Sequence, residues 1–449
     1  MNDNSETDLL TAARLRLAAG FAGLPPVDAG LDASRLKPVL FKVADRLADN
    51  FPYQHPLYVG QMLKPPHPLA RLAYSLAMEI NPNNHALDGG RASSAMEKEA
   101  VAKLARMVGF ETHLGHLTSG GTVANLEALW VSRELGQGRR RVLASSEAHY
   151  THSRMSAVLG MDFTAVGVDR EGRMDTAALQ AELQRGGVAC VVATLGTTGR
   201  GALDPLAEIV PLAREAGVRV HVDAAYGGYF KLVAEGDPER ERVFACMGQA
   251  DSVVIDPHKH GLQPYGCGVV LFRDPAAGRV YRHDSPYTYF SSDELHLGEI
   301  SLECSRAGAS AVALWATLEQ LPLEPEGEFA GGLKRCLSAA RKLQAWVREA
   351  DDFVALAPPT LDIVVFGARA GSASAASLRA RAVFDAAAER NLHLALLKLP
   401  RALAEPWWPG LEWDADTVTV LRCCLMKPEH EDWMPQITEL LDQSGRATR

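Results

Sequence analysis

The alternation of apolar and polar positions is most regular in the middle of the chain. Between about residue 92 and residue 325, short apolar runs alternate with segments of helical periodicity, a pattern that is typical of stacked βαβ units. Helices are predicted over residues 95–108, 122–135, 176–185 and 206–216. Strands are predicted over residues 142–145, 162–168, 190–194, 219–222, 252–255 and 267–272. We therefore expect an α/β domain with a mainly parallel central sheet.

The two ends of the chain have a different character. Residues 1 to about 50 show helical periodicity, and residues 51–68 are rich in proline and aromatic side chains, which indicates an irregular segment laid over another surface. Residues 369–378 are predicted to form a flexible loop because they are rich in glycine, serine and alanine. The other predicted elements of the C-terminal region are helices over residues 329–349, 375–390 and 430–443 and strands over residues 361–368, 393–399 and 418–425.

Composition excludes several classes of protein. The 449 residues include 46 Lys and Arg against 55 Asp and Glu, so the net charge of −9 disfavours nucleic acid as a partner. No apolar stretch approaches the roughly 20 residues of a membrane span, and the N-terminus lacks the pattern of a signal peptide. The seven cysteines include no CxxC pair, which argues against a zinc site or a disulfide framework. We expect a cytoplasmic protein with reduced thiols.

Charged side chains follow two consecutive predicted strands. Asp223 follows the strand 219–222, and Lys259 lies in the turn after the strand 252–255. Taken separately, Asp223 could simply cap a helix, and Lys259 could be a solvated turn residue. Because the carboxyl ends of parallel strands meet at one edge of a sheet, however, we expect the carboxylate and the amine to face the same crevice. A lysine held out of water in such a crevice becomes nucleophilic.

Two further segments of the predicted βαβ region carry groups that bind ligands. The turn 119–122 (SGGT) opens directly into a predicted helix, and the free N–H groups of such a turn bind phosphate, although serine and threonine there also simply cap helices. No lysine follows the glycines, so the turn is not a Walker A loop. His149 follows another predicted strand. It could share a helix face with His152 and bind a metal ion, but no third ligand is nearby, and we predict no metal site.

One cofactor uses all four of these groups. A phosphorylated pyridine aldehyde forms an imine with a lysine, and its phosphate fits a glycine turn. Its protonated ring nitrogen pairs with a carboxylate, and an aromatic side chain stacks on its ring. The sequence therefore predicts that the protein binds pyridoxal 5′-phosphate (PLP).

Eight segments also carry a resemblance to a known family. They are HPLYVGQM (55–62), NPNNHALDGG (81–90), TSGGTVANLEAL (118–129), AHYTHSRMS (148–156), ATLGTTGRGALDP (193–205), HVDAAYGG (221–228), DPHKHGLQPYGCG (256–268) and LECSRAGAS (302–310). In these segments and their order the chain resembles the group II PLP-dependent amino-acid decarboxylases of aminotransferase fold type I. It is most similar to the branch that contains bacterial and archaeal tyrosine and aspartate decarboxylases. The resemblance covers residues 51–325, and residues 326–449 match only in general pattern.

The resemblance implies an architecture and an assembly. It implies the fold of fold type I PLP-dependent transferases, which is similar to that of aspartate aminotransferase, and a homodimer with shared active sites. We therefore expect three units: an N-terminal helical and dimerisation segment (1–80), a large PLP-binding domain (81–325) and a small C-terminal α+β domain (326–449).

The resemblance also implies roles for individual residues around the cofactor. Lys259 would carry the imine, Asp223 would pair with the pyridinium nitrogen, and His149 would stack on the ring face. The other implied cofactor contacts are Gly121, Thr122 and His258 to the phosphate, Thr198 to the phenolic oxygen and Ala225 beneath the ring.

On the substrate side the implied roles leave alternatives. The residues expected to line the pocket, some of them across a dimer interface, are Gln61, Asn83 and His85. Tyr287, on the segment 282–295, is expected to protonate the carbanion in preference to Tyr289, and the alternative is that both only pack. Arg306 lies where some relatives bind the substrate carboxylate, and a structural ion pair is its alternative.

Two departures from related sequences bear on the chemistry. Asp256 stands three residues before the lysine, where animal aromatic decarboxylases carry an amide. A phosphate dianion would repel Asp256 unless this carboxylate accepts hydrogen bonds from backbone N–H groups or from His258. Arg91 stands where related sequences often have proline, and with Lys64 and His85 it leaves open a substrate with an acidic side chain.

The predicted activity is the α-decarboxylation of a small-molecule substrate, an L-amino acid, to an amine and CO₂. A tyrosine-like substrate is favoured because NPNNHALDGG is most similar to that branch, and an aspartate- or glutamate-like substrate is the alternative. An aminotransferase, or a carbon–carbon lyase acting on phosphorylated amino alcohols, would use the same cofactor on a related fold. Outside catalysis, the alternative is a module that only binds PLP.

Overall fold

A computed structural model describes residues 5–25, 30, 32–85, 88–281 and 297–449. The helices of this part of the chain are α1 (Glu6–Ala19), α2 (Ala33–Leu47), α3 (Pro68–Met78), α4 (Arg91–Val108), α5 (Gly121–Leu135), α6 (Thr151–Val158), α7 (Thr176–Gln184), α8 (Leu206–Glu215), α9 (Pro238–Ala245), α10 (Gly308–Gln320), α11 (Glu328–Glu349), α12 (Ala373–Ala388), α13 (Arg401–Ala404) and α14 (Met434–Arg446). The strands are β1 (Leu114–Thr118), β2 (Arg141–Ser145), β3 (Asp162–Val166), β4 (Val188–Thr194), β5 (Arg219–Asp223), β6 (Ser252–Ile255), β7 (Gly268–Phe272), β8 (Phe353–Ala355), β9 (Ile363–Ala368), β10 (Ala395–Pro400) and β11 (Thr417–Cys424).

The larger sheet has the strand order β1-β7-β6-β5-β4-β2-β3. Its neighbours β6, β5, β4, β2 and β3 pair in parallel, whereas β7 runs antiparallel to both β1 and β6. Strands β4 and β6 are buried along their whole length, which agrees with their continuous apolar sequences and with helices covering both faces. The predicted α/β class and mainly parallel sheet are confirmed.

Strand β1 was not predicted. Its sequence, LGHLT, is short and contains a glycine and a histidine, so it carries no clear strand pattern. The strand forms because β7 pairs with it antiparallel over all five residues. Gly115 permits this pairing, since a Cβ at that position would lie 2.7 Å from the Val270 carbonyl oxygen.

The C-terminal region forms a second, antiparallel sheet. Its strand order is β10-β11-β9-β8, helices α11 and α12 pack on it, and α14 packs against both of these helices. The prediction of a flexible loop over residues 369–378 is wrong for most of that stretch. Ser372 caps α12 by accepting a hydrogen bond from the Ala375 N–H at 3.3 Å, and the alanine-rich stretch that follows is helical from Ala373.

The two sheets share one hydrophobic core. Leu361 and Ile363 of the C-terminal region lie in the same buried cluster as Val191 and Ala193 of β4 in the larger sheet. The predicted boundaries at 80/81 and 325/326 stay a proposal. Within the described residues, no helix is long and apolar enough to cross a membrane.

The N-terminal helices lie outside this core. Helix α1 is held to α3 by ion pairs from Arg14 to Glu79 at 2.8 Å and from Arg71 to Glu6 at 2.5 Å. Helix α2 buries none of its residues and exposes a row of large apolar side chains. The segment 51–67 that follows is irregular, as predicted.

Candidate active site

A cavity of about 320 Å³ lies beyond the carboxyl ends of β4, β5 and β6. This is the edge at which open α/β sheets bind ligands. The N-terminus of α5 and the residues that follow β2 complete its walls. All eight residues predicted to contact the cofactor line this one cavity: Gly121, Thr122, His149, Thr198, Asp223, Ala225, His258 and Lys259.

Lys259 lies in the turn that follows β6. Its backbone N–H donates to the Asp256 carbonyl at 2.9 Å, which closes the turn. Its ammonium lies 3.1 Å from the Asp256 carboxylate, and its side chain is 23% exposed, so it reaches the cavity rather than the core. The amine is thus held by a buried carboxylate at the cavity wall.

Asp223 ends β5 and is buried at the base of the cavity. Its Oδ1 accepts from the Ala225 N–H at 3.1 Å. Its Oδ2 accepts from His152 Nε2 at 2.8 Å and from Asn125 Nδ2 at 3.3 Å. Burial by itself raises the pKa of this carboxyl, but the hydrogen bond from His152, together with the charge of Lys259, outweighs burial and holds the pKa below its usual value. Asp223 therefore stays ionised at neutral pH.

His149 follows β2 and lines the cavity with a neutral ring. Its Nδ1 accepts from the Thr151 N–H at 3.3 Å and lies 2.7 Å from the Thr151 hydroxyl. Burial lowers the pKa of His149, the charge of Lys259 lowers it further, and Asp223 opposes them. A neutral imidazole offers a flat face for an aromatic ring.

The opposite end of the cavity is built to hold an anion. Helix α5 begins there after Gly120, which has a φ of 149°, and no side chain caps its first turn. Backbone N–H groups and the helix dipole therefore face the cavity. His258 lies beside this turn, and its Nδ1–H donates to the Cys267 carbonyl at 2.8 Å. A Cβ on Gly120 would lie only 3.5 Å from the His258 ring.

These residues fit PLP. The uncapped helix N-terminus suits its phosphate, the ionised Asp223 suits a pyridinium nitrogen, and Lys259 supplies a primary amine on the same cavity. Within the described ranges, no group of three or more His, Cys, Asp and Glu side chains could hold a metal ion.

The four residues predicted to bind the substrate do not line this chain's cavity. Gln61 is exposed, and its Oε1 accepts from Arg422 at 3.4 Å. Asn83 accepts from the backbone N–H groups of His85 and Arg306 at 3.1 and 3.0 Å, so these residues form a cluster of their own.

Arg306 forms a buried ion pair within this cluster. Its Nη1 lies 2.7 Å from Glu97 Oε1 and 2.5 Å from the Leu117 carbonyl oxygen. Its side chain is only 7% exposed. This geometry favours the structural ion pair over a contact with the substrate carboxylate.

The other candidates also lie away from the cavity. Lys64 donates to the Met426 carbonyl at 3.1 Å in a second cavity between α11 and the segments that follow α2 and β11, and Arg91 is the exposed first residue of α4. Tyr287 and Tyr289 lie outside the described residues.

Sequence reasoning missed the role of three residues that lie behind Asp223. Asn125 and His152 both donate to Asp223, and His221 lies 2.7 Å from the Asn125 side-chain oxygen. Weak signals for two of them were present: Asn125 follows Thr122 at helical spacing, and His221 is two residues before Asp223 and hence on the same face of β5.

Known proteins are similar to this chain over most of its length. The pyridoxal-dependent decarboxylase conserved domain matches residues 54–369. The probable L-tyrosine/L-aspartate decarboxylase of Methanothermobacter thermautotrophicus is 28% identical over 310 residues, covering 69% of this chain and 82% of that protein. The probable L-aspartate decarboxylase of Halobacterium salinarum is 31% identical over 271 residues, covering 60% of this chain and 72% of that protein. A crystal structure of Oryza sativa TDC with PLP and tryptamine has the same fold, with a TM-score of 0.77 at 18% identity over 99% of both chains.

The match to the family domain covers most of the chain and contains every residue that lines the cavity. The chain therefore belongs to the pyridoxal-dependent decarboxylase family, and it is a PLP-dependent amino-acid decarboxylase.

Proposed function

We propose that Lys259, Asp223 and His149 form the catalytic centre of this decarboxylase. The observation that carries the proposal is that an amine, an ionised carboxylate and a neutral imidazole line one cavity beside an uncapped helix N-terminus. In this assignment Lys259 binds the cofactor covalently, Asp223 pairs with the ring nitrogen, and His149 lies against the ring face. When bound, PLP supplies an aldehyde that captures the substrate amine and an electron-poor ring that stabilises the electrons left by CO₂.

The remaining contacts fix the cofactor's position. Gly121, Thr122 and His258 hold the phosphate in our assignment, because they surround the N-terminus of α5. Thr198 lines the same cavity within the chain's GTTG segment, and in our assignment it would donate to the phenolic oxygen. Ala225 is small and buried, and in the same assignment it would lie beneath the ring.

The chain's own residues then favour loss of the carboxylate. Asp223, kept ionised by its hydrogen bonds, holds a proton on the ring nitrogen, because an opposite charge favours the cationic form. Replacing Asp223 with Ala should remove this effect and lower turnover far more than it lowers binding. Lys259 would hold the cofactor covalently between turnovers.

The substrate that we propose first is L-aspartate, and L-tyrosine is the second candidate. Both relatives described above have aspartate in their names, and one of them also has tyrosine. The tyrosine candidate rests in addition on the resemblance of the segment 81–90. Among the described residues, the aromatic side chains that line the cavity are Tyr226 and the imidazoles of His149 and His258, so one chain supplies little of an aromatic slot.

The test is a substrate panel. Purified protein with added PLP is incubated with each of the twenty amino acids, and the CO₂ and amine that form are measured. Release of CO₂ from aspartate or tyrosine, absent in Lys259→Ala, is the expected result. Release from another amino acid alone would overturn the substrate assignment. Transfer of the amino group to an oxo acid without CO₂ would identify an aminotransferase instead.

Sodium borohydride tests the covalent link separately. Reduction should leave the cofactor attached to Lys259, and mass spectrometry of the digested protein should find it on the peptide that contains residue 259. Attachment elsewhere, or no attachment, would contradict the assignment of this lysine whatever the substrate.

We also propose that Tyr287 donates the proton that replaces the lost carboxylate. The residue lies outside the described part of the chain, so the proposal rests on the family resemblance. Tyr287→Phe should abolish amine formation but keep cofactor binding, whereas Tyr289→Phe, as the matched control, should keep both. The opposite pattern would transfer the role to Tyr289.

We propose that the assembly is a homodimer formed in part by α2. This helix exposes Leu36, Val39 and Leu40 on one face by 45%, 61% and 63%, and Val43 and Leu47 continue that face. No described residue of α2 is buried within its own chain. An apolar face of this size on a helix needs a covering surface. A second copy of the chain supplies it and brings further residues to the cavity, as the resemblance implies.

A further inference from the structure

The carboxylate of Asp223 makes more hydrogen bonds than cofactor pairing requires. Its Oδ2 accepts from His152 Nε2 at 2.8 Å and from Asn125 Nδ2 at 3.3 Å, while its Oδ1 accepts only from the Ala225 N–H at 3.1 Å. The two side chains therefore bind the same oxygen. Oδ1 keeps a lone pair for a partner in the cavity.

His152 is completely buried on α6, in contact with Asp223. Among the described residues its Nδ1 has no hydrogen-bond partner. A protonated Nδ1 would be a buried, unsatisfied donor, so the geometry favours the neutral ring with its proton on Nε2. In that form His152 donates to Asp223 and cannot accept from it.

A second series of hydrogen bonds leads to Asp223 from Ser252 of β6 through His221 and Asn125. Burial lowers the pKa of His221 to about 3, so this ring is neutral. Because a carboxylate only accepts, Asn125 must donate its amide N–H to Asp223 and turn its oxygen to His221, 2.7 Å away. His221 then donates through Nε2 and accepts from the Ser252 hydroxyl at 2.9 Å through Nδ1. Each group in this series therefore donates a hydrogen bond in the direction of the Asp223 carboxylate.

These donors affect where a proton rests between Asp223 and a ring nitrogen. One proton can lie on the nitrogen, giving a carboxylate and a pyridinium, or on the oxygen, giving a neutral acid and a neutral pyridine. Hydrogen bonds to the charged form of a carboxyl favour that form. A bond from His152 to Asp223 therefore favours the protonated, electron-withdrawing ring.

We propose that His152 is a positioning residue that keeps the cofactor ring nitrogen protonated by donating from Nε2 to Asp223. The proposal rests on the proposed pairing of Asp223 with that nitrogen. It gives a function to a histidine that contacts neither the cavity nor the solvent. Asn125 contributes to the same effect through a longer bond.

The test uses PLP labelled with ¹⁵N in the ring, whose chemical shift distinguishes pyridinium from pyridine. His152→Leu removes the donor, and the signal should move from the pyridinium position toward that of pyridine. His152→Gln places an amide N–H at a similar reach, and its signal should stay at the wild-type position. The rate of CO₂ release should fall about tenfold to a hundredfold in the leucine variant, the size expected for a hydrogen bond to a charged group, and about threefold or less in the glutamine variant.

Three controls make the outcomes distinct. Met155→Leu, on the same helix, should leave the signal unchanged. Asp223→Asn should move it fully to the pyridine position, and no movement there would refute the Asp223 pairing itself. Movement in Asp223→Asn but none in His152→Leu would overturn only the role of His152. If the leucine variant does not fold, His152→Asn replaces it in the comparison with His152→Gln. The asparagine side chain is one methylene shorter than glutamine and does not reach Asp223. A wild-type signal in His152→Asn would overturn the role of His152.

Discussion

The carboxylate of Asp256 lies directly against the Cα of Gly121, at the N-terminus of helix α5. A Cβ built on Gly121 would lie 2.7 Å from Asp256 Oδ2 and 2.9 Å from Oδ1. Asp256 is 3% exposed, and its other close contacts are Lys259 at 3.1 Å and His258 at 3.6 Å. A buried carboxylate therefore shares the end of the helix that suits the cofactor phosphate.

This contact predicts that Gly121→Ala weakens PLP binding. The added methyl group must push the Asp256 carboxylate away, and the carboxylate is held in place by Lys259. We expect the dissociation constant for PLP to rise about tenfold or more, measured by the quenching of tryptophan fluorescence. Gly167→Ala is the matched control, because a Cβ there meets nothing within 4 Å. Equal affinities in the two variants would show that Asp256 moves without cost.

The position of Asp256 also predicts that its negative charge weakens PLP binding. An ionised Asp256 repels a phosphate dianion, so Asp256→Asn should bind PLP more tightly than wild type at pH 8, by about tenfold. The second pKa of a phosphate monoester is about 6, so the difference should shrink at pH 6, where the phosphate carries one more proton. Equilibrium dialysis at the two pH values measures both constants.

A control separates local from general electrostatics. Asp385→Asn removes one charge from the exposed face of α12 and should leave the PLP affinity unchanged. Weaker binding by Asp256→Asn at both pH values would mean that the carboxylate helps to hold the cofactor, through Lys259 or His258.

Much of the site could be predicted because it lies at strand ends. Strand β6 spans Ser252–Ile255 as predicted, and the turn after it brings Lys259 to the same edge of the sheet as Asp223. Parallel strands fix this convergence whatever the details of packing. Residues in such positions can be placed from one sequence.

The rest depended on contacts between distant segments. Asn125 and His152 meet Asp223 from two different helices, and nothing in the spacing of these three residues along the chain reveals it. Strand β1 exists because β7 pairs with it, although its own sequence is a weak strand former. Gln61 and Asn83 do not reach the cavity of their own chain, so their predicted role depends on a second copy.

Two buried histidines predict that the protein loses stability in mild acid. Burial lowers the pKa of His221 and that of His430 to about 3, whereas an unfolded histidine titrates near 6.5. Below pH 6.5 the unfolded chain therefore binds more protons than the folded one, and stability falls as the pH falls. At pH 5 the loss is about 2 kcal/mol for each histidine.

His430→Gln tests this prediction away from the cavity. Urea denaturation at pH 7 and pH 5 gives the change in the free energy of unfolding for wild type and variant. The variant should lose about 2 kcal/mol less than wild type between the two pH values, because it has one fewer group to protonate on unfolding. Identical losses would mean that His430 is protonated in the folded protein.

The exposed face of α2 predicts that a single charge separates the proposed dimer. Leu40 is 63% exposed in the isolated chain, and an aspartate there would bury a charge against the apolar surface of the second copy. Leu40→Asp should sediment as a monomer at micromolar concentration, and it should lose CO₂ release if the partner completes the cavity. Leu378→Asp is the matched control, since Leu378 is 70% exposed on α12 and should not affect assembly. A Leu40→Asp variant that remains dimeric would place the interface on another surface, and a monomer with full activity would show that each chain's cavity is complete on its own.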